Sequence, residues 1–146
     1  DDEIVMLDDD ICEIGFHENM IREKMEADKI FHFLNDGFQM AKDLGITLWG
    51  VNLQSDPKFY REYSPFSLLA PILGTFSCHY KPTLRYDDEL FLNEDYDFFL
   101  KTINQNRKTL RFNKYYYKDS FALPCIHQCF QILLVSDHSI FEHSTI

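Results

Sequence analysis

Ile4-Val5-Met6-Leu7-Asp8-Asp9-Asp10-Ile11 is the stretch whose reading decides the fold. Four apolar residues run into three consecutive carboxylates, and an apolar residue follows. A short apolar run of this kind is the mark of a strand buried in an α/β sheet. Carboxylates at its end then stand at the mouth of the sheet, where open α/β sheets bind ligands. Three adjacent acids repel one another unless something cationic neutralises them. A hard divalent ion such as Mg²⁺ or Mn²⁺, itself holding phosphate, answers that need. A solvated acidic turn would need no ligand, and these eight residues alone do not choose between the two.

Downstream, Gly15 to Glu26 is polar and mixed, which predicts a mobile loop or a short helix leaving the acidic strand end. From Asp28 to Leu44 the apolar residues Ile30, Phe33, Leu34, Phe38, Ala41 and Leu44 recur at three- and four-residue steps. That period predicts a helix, and Gly45 stands where a left-handed cap belongs. Gly37 weakens its middle without forbidding it. Ile46 to Asn52 reads as a second buried strand. Asp56-Pro57 and Ser64-Pro65 bracket a loop rich in aromatics, which either pack or wall a cleft. Ala70 to Tyr80 is strand-like until Lys81-Pro82 breaks it, and Tyr86-Asp87-Asp88-Glu89 begins an acidic turn. Asn93 is placed to cap a helix through Asn106, and acids in its first turn suit the helix dipole. That alone accounts for Glu94, Asp95 and Asp97. Leu110 to Tyr117 returns to strand-like alternation of basic and aromatic residues.

The chain therefore predicts an α/β domain with a mixed sheet and flanking helices. Ile4–Leu7 and Leu48–Val51 are expected to be neighbouring central strands, joined by the Asp28–Leu44 helix as a right-handed crossover. With 146 residues, 45% hydrophobic and 16% aromatic, it is a globular composition with room for one modest core. It opens on Asp, so it reads as a segment of something longer. The net charge is −10, but residues 101 to 118 carry +6 and no acid, leaving −16 for the rest. An acidic body with one basic stripe suits a phosphate-bearing ligand held locally rather than wholesale coating of nucleic acid. No signal peptide or membrane-length apolar run is present, so no membrane association is expected. Cys12, Cys78, Cys125 and Cys129 then read as reduced thiols of an intracellular, cytoplasmic protein. After Asp119 the character changes. Residues 119–146 read as a divergent tail with half of the six histidines, in which Cys125, Cys129, His138 and His143 are spaced too tightly for a zinc finger.

No nucleophile elbow, phosphate-binding glycine loop or dinucleotide fingerprint occurs. What remains, in order, is Leu7-Asp8-Asp9-Asp10-Ile11, Leu48-Trp49-Gly50-Val51-Asn52 with Asp56 to Glu62, Pro71 to Phe76, and Asn93 to Ile103 with Leu110-Arg111-Phe112, a combination more specific than any of its parts. Over residues 4 to 118 it resembles the metal-dependent GT-A glycosyltransferases, and among them most the TET-associated enzymes that modify hydroxylated DNA bases. The resemblance implies a partial GT-A-like domain over 1–118, like the carboxyl-terminal half of a nucleotide-diphospho-sugar transferase. Only seven residues precede Asp8, where such enzymes carry nucleotide-binding βαβ units, so turnover is expected of a longer parent and not of this segment alone.

Carried over by residue, Asp8 and Asp10 match the Asp-x-Asp element that holds Mn²⁺ or Mg²⁺, with Asp9 between them and Asp8, Asp9 and Arg111 meeting the nucleotide-sugar donor. Glu94 and Asp95 match the late acidic pair from which inverting members draw the general base. The chemistry suits these residue types, since the departing nucleoside diphosphate needs charge neutralisation and the acceptor hydroxyl must lose a proton. Two readings compete: a truncated module that binds metal or phosphate without turnover, and a metal-dependent phosphohydrolase, whose further ligands have no assignable residues here.

Overall fold

In the computed structural model, residues 2–73, 75–90 and 92–119 are described, and the tail with Cys125, Cys129, His138 and His143 lies outside them. The elements run β1 (Glu3–Leu7), β2 (Ile11–Glu18), β3 (Ile21–Lys24), α1 (Ala27–Leu44), β4 (Leu48–Asn52), β5 (Phe66–Ser67), β6 (Phe76–Tyr80), α2 (Glu94–Asn106) and β7 (Leu110–Asp119). All seven strands join one mixed sheet in the order β1-β6-β4-β7-β2-β3, with β5 paired to β7. Among the described residues no helix is long and apolar enough to cross a membrane.

Strand β4 is the pivot. Leu48 and Trp49 are both buried yet point to opposite faces, because successive side chains of a strand alternate. Trp49 meets Phe33 and Phe38 of α1 edge-on, at ring separations of 5.8 and 5.2 Å. Leu48 joins Ile72, Phe98 and Phe99, so α2 covers the other face. Helix α1 buries Ile30, Phe33, Leu34, Phe38 and Ala41 of the stripe its period predicts, while Leu44 in the last turn is exposed, and Gly45 (φ 64°) ends it in the left-handed region. Gly45 N–H and Ile46 N–H close the last turn onto the carbonyls of Lys42 and Ala41.

Three expectations are corrected. Gly15 to Glu26 is no loop or helix: it forms most of a hairpin in which Glu18 opposes Ile21 across Asn19 and Met20. Both turn residues have positive φ (51° and 64°), as a two-residue hairpin loop with the right twist demands. The hairpin is hard to read because β3 is wholly exposed and carries no apolar alternation. Second, β1 is not beside β4. Strand β6 lies between them, antiparallel to both, and β1 forms an edge of the sheet. Strand β6 buries Ser77 and His79 as well as Phe76 and Cys78, a polar content that ranks it low as a core strand. Third, α1 follows the hairpin, so it links β3 rather than β1 to β4.

The connection from β1 to β2 has a further consequence. Only residues 8–10 join strands four places apart in the sheet order. Four residue steps reach at most ~14 Å, whereas four strand spacings in a flat sheet cover ~19 Å. The sheet must therefore curl at this end. Phe76 of β6 stacks on Tyr117 of β7 at 6.2 Å, although β4 separates these strands in the order.

Candidate functional site

That curl builds the site. Strands β1, β4 and β7 run in one direction, since β6 is antiparallel to β1 and β4 while β7 is parallel to β4. Their carboxyl ends therefore share one end of the sheet. Asp8 follows β1, its N–H held 3.0 Å from the Thr75 carbonyl. Ile11, directly after Asp10, pairs with Asp119 at the end of β7. Helix α2 starts at the same end and brings its first-turn Asp95 within electrostatic reach of Asp8.

The charges record this crowding. Partial burial lifts the Asp8 pKa above the ordinary carboxylate value, and Asp10, Asp95 and Asp9 push it the same way, while the Thr75 hydroxyl opposes them. Asp119 is raised too, by burial first and then by Asp10 and Asp8. Among the expected residues, Asp8, Asp9, Asp10 and Asp95 thus come together. Glu94 acts with Asp95 and Asp8 on the half-buried Tyr86, whose hydroxyl is pushed up to about 12 by desolvation first and then by these carboxylates. Asn93 occupies the cap position, but in the left-handed region (φ 62°) and without a side-chain cap bond. Asp97 turns back to Lys101, which also meets Asp87, so this pair is local to the helix.

Beside the acids opens a cleft of about 280 Å³ lined by Asn52, Gln54, Leu73, Tyr96, Arg111 and Tyr117, among others. Arg111, in regular register opposite Gly50, reaches it because it alternates with Leu110 and Phe112, which pack in the core with Trp49, and β7 bulges only after Phe112. Asn113 pins that bulge: its amide donates to Ser64 O and Ser67 Oγ, and its Oδ1 accepts from Arg111 Nε at 2.9 Å. The guanidinium is half-buried, which lowers its pKa, and none of the ion pairs among the described residues involves it. A partly desolvated cation in a cleft is a receptor for an anion, and its planar fork suits phosphate. The rest of the basic stripe does not gather here: Lys101 is tied to α2, and Lys114 lines a separate cleft with Phe16, His32 and Tyr115.

A divalent ion fits the donor set. Carboxylate oxygens are hard ligands, and Mg²⁺ is commonly held by one or two carboxylates with phosphate and water completing the shell. Among the described residues no three His, Cys, Asp or Glu side chains stand close enough to cage an ion, so phosphate and water would complete it. Asp119 and Tyr117 were not singled out by the sequence. An acid ending a strand, the logic already applied to Asp8, was the available signal for Asp119. No family model, curated protein or solved structure matches the chain.

Proposed function

We propose that this chain is the metal- and acceptor-side part of a GT-A-like glycosyltransferase, moving a sugar from a nucleotide-sugar donor to a hydroxyl acceptor. One observation carries the reading: Asp8, Asp10 and Asp95 meet at the carboxyl ends of three parallel strands, beside a cleft that holds Arg111. In this reading Asp8 and Asp10 hold Mn²⁺ or Mg²⁺, with Asp9 alongside. The ion, when bound, neutralises charge that develops on the departing diphosphate. Arg111 grips a phosphate of the donor from inside the cleft. Asp95, in the first turn of α2, takes the proton of the acceptor hydroxyl, with Glu94 as its neighbour in reserve. The acceptor that the sequence resemblance suggests is a hydroxylated DNA base.

A carboxylate cluster of this kind is strained by its own repulsion, and that supports a cationic occupant over a bare acidic turn. The test is a screen of UDP- and GDP-sugars for Mn²⁺-dependent binding and release of the nucleoside diphosphate, run on this chain and on any longer protein containing it. Release that disappears in Asp10→Asn supports the transferase. Binding without release from either protein leaves a non-catalytic metal and phosphate module.

A further inference from the structure

We propose that the separate cleft between α1 and the sheet is a second ligand site, for a nucleoside monophosphate whose base carries an amino group. The inference does not depend on the transferase reading. The cleft has a volume of about 320 Å³, and its lining runs from Phe16 of β2 past Lys114 and Tyr115 of β7 to Lys29, His32 and Asp36 of α1. That is the small end of ligand pockets and suits one compact molecule. Phe112 and Tyr115 both meet Phe33 of α1, whereas Arg111, beside Phe112, alternates to the other face. The two clefts therefore open on opposite faces of the sheet.

Three features define the ligand. Phe16 and Tyr115 are half-buried rings 6.3 Å apart, and buried Phe33 backs them by stacking on Tyr115 at 4.0 Å. An aromatic floor fixed from behind and open in front seats a flat ring. Second, Lys29, Lys114, Glu18 and Asp36 all line the cleft, yet none of the ion pairs among the described residues involves them. The lysines can donate to an anion and the carboxylates can accept from an amine. Third, Lys29, His32, Phe33 and Asp36 form one stripe of α1. Lys29 lies in the first turn, where the helix dipole favours an anion, and Asp36 lies two turns on, about 10 Å away. An amino acid carries its ammonium and carboxylate on one carbon and does not span that distance. A nucleotide holds its phosphate and the amine of its base at opposite ends. Asp36 also acts on the Tyr115 hydroxyl, whose pKa is raised by burial first and then by this carboxylate, so the acid stands over the aromatic floor. A base seated on Tyr115 offers its amine to Asp36 and extends its phosphate towards Lys29.

The experiment is an NMR titration of amide shifts with AMP, IMP and adenosine, without divalent ions, on wild type, Lys29→Ala and Asp36→Ala. Both positions are exposed on a helix, where alanine is well tolerated, so the variants are expected to fold. AMP should shift the amides of residues 16, 29–36 and 114–115 and leave those of Asn52, Gln54 and Arg111 in place. Lys29→Ala should weaken AMP about 10-fold and leave adenosine unchanged, the effect of one charge-assisted hydrogen bond to phosphate. Wild type should prefer AMP to IMP, which has a carbonyl where AMP has its amine, and Asp36→Ala should erase that preference. Shifts centred on Arg111, equal affinity for AMP and IMP, or no saturable shift with any probe each overturn the proposal. Free phenylalanine moving the same amides more strongly than AMP overturns it as well. The site of Asp8 and Asp10 stands or falls separately, on Mn²⁺ and the nucleotide-sugars.

Discussion

Replacing Gly37 by alanine separates local propensity from packing, because the two predict opposite signs. In an exposed helix, Gly→Ala stabilises by about 0.5–1 kcal/mol, since glycine loses the most backbone freedom on folding. Gly37 is buried at the centre of α1, facing Trp49 of the central strand. A methyl group there would fall on the far edge of the indole, within 2.6 Å of Cζ2 and 2.7 Å of Cζ3. The indole cannot easily give way. Trp49 is fully buried and boxed by Phe33, Phe38 and Phe112, all edge-on at 5.2 to 5.8 Å. Overpacking of this kind costs about 1–3 kcal/mol, and the rigid box puts this site near the upper value. Less the gain in propensity, the net loss is about 2 kcal/mol. For a domain of this size that is a fall in Tm of roughly 6–10 °C. Urea unfolding of Gly37→Ala beside the exposed α1 control Asn35→Ala measures it, with the control expected to gain a few tenths of a kcal/mol. Gly37→Ala as stable as wild type, or more so, would refute the close seating of α1 on β4.

The remaining expectations concern the site and pH. Asp10→Asn should lose Mn²⁺ relaxation enhancement measured with UDP present, while equal enhancement in both proteins would count against the Asp-x-Asp assignment. In any protein where transfer is measured, Asp95→Asn should lower turnover by about 10²–10⁴ with donor binding nearly unchanged. Normal turnover in both Asp95→Asn and Glu94→Gln would reduce the pair to a helix start worth a few tenths of a kcal/mol. His79 is buried against Phe98 with Nε2 3.2 Å from Ser77 Oγ, and burial lowers its pKa to about 4. The unfolded chain then takes the proton first, so stability falls as pH drops from about 6.5 towards 4, by up to about 3 kcal/mol. The difference in unfolding free energy between wild type and His79→Asn should shrink across that range, and a constant difference would contradict a neutral buried imidazole.

What the sequence determined by itself was local. The three- and four-residue steps from Ile30 to Leu44 and the cap at Gly45 specify α1, because a helix is written in contacts one turn apart. Ile4 to Leu7, Ile46 to Asn52 and Leu110 to Tyr117 announce strands, and carboxylates after the first mark a sheet mouth. Which strands are neighbours is not local information. Strand β6 enters between β1 and β4, and the exposed β3 is a strand only because β2 offers it an edge. The meeting of Asp8, Asp95 and Asp119 was likewise hidden, since residues 87 and 111 positions apart are brought together only by sheet order and register. The short link of residues 8–10 then forces the sheet to curl, and that curl sets Tyr117 between the acids and the Arg111 cleft. Periodicity fixes what each segment becomes; pairing and chain reach fix which side chains share a site.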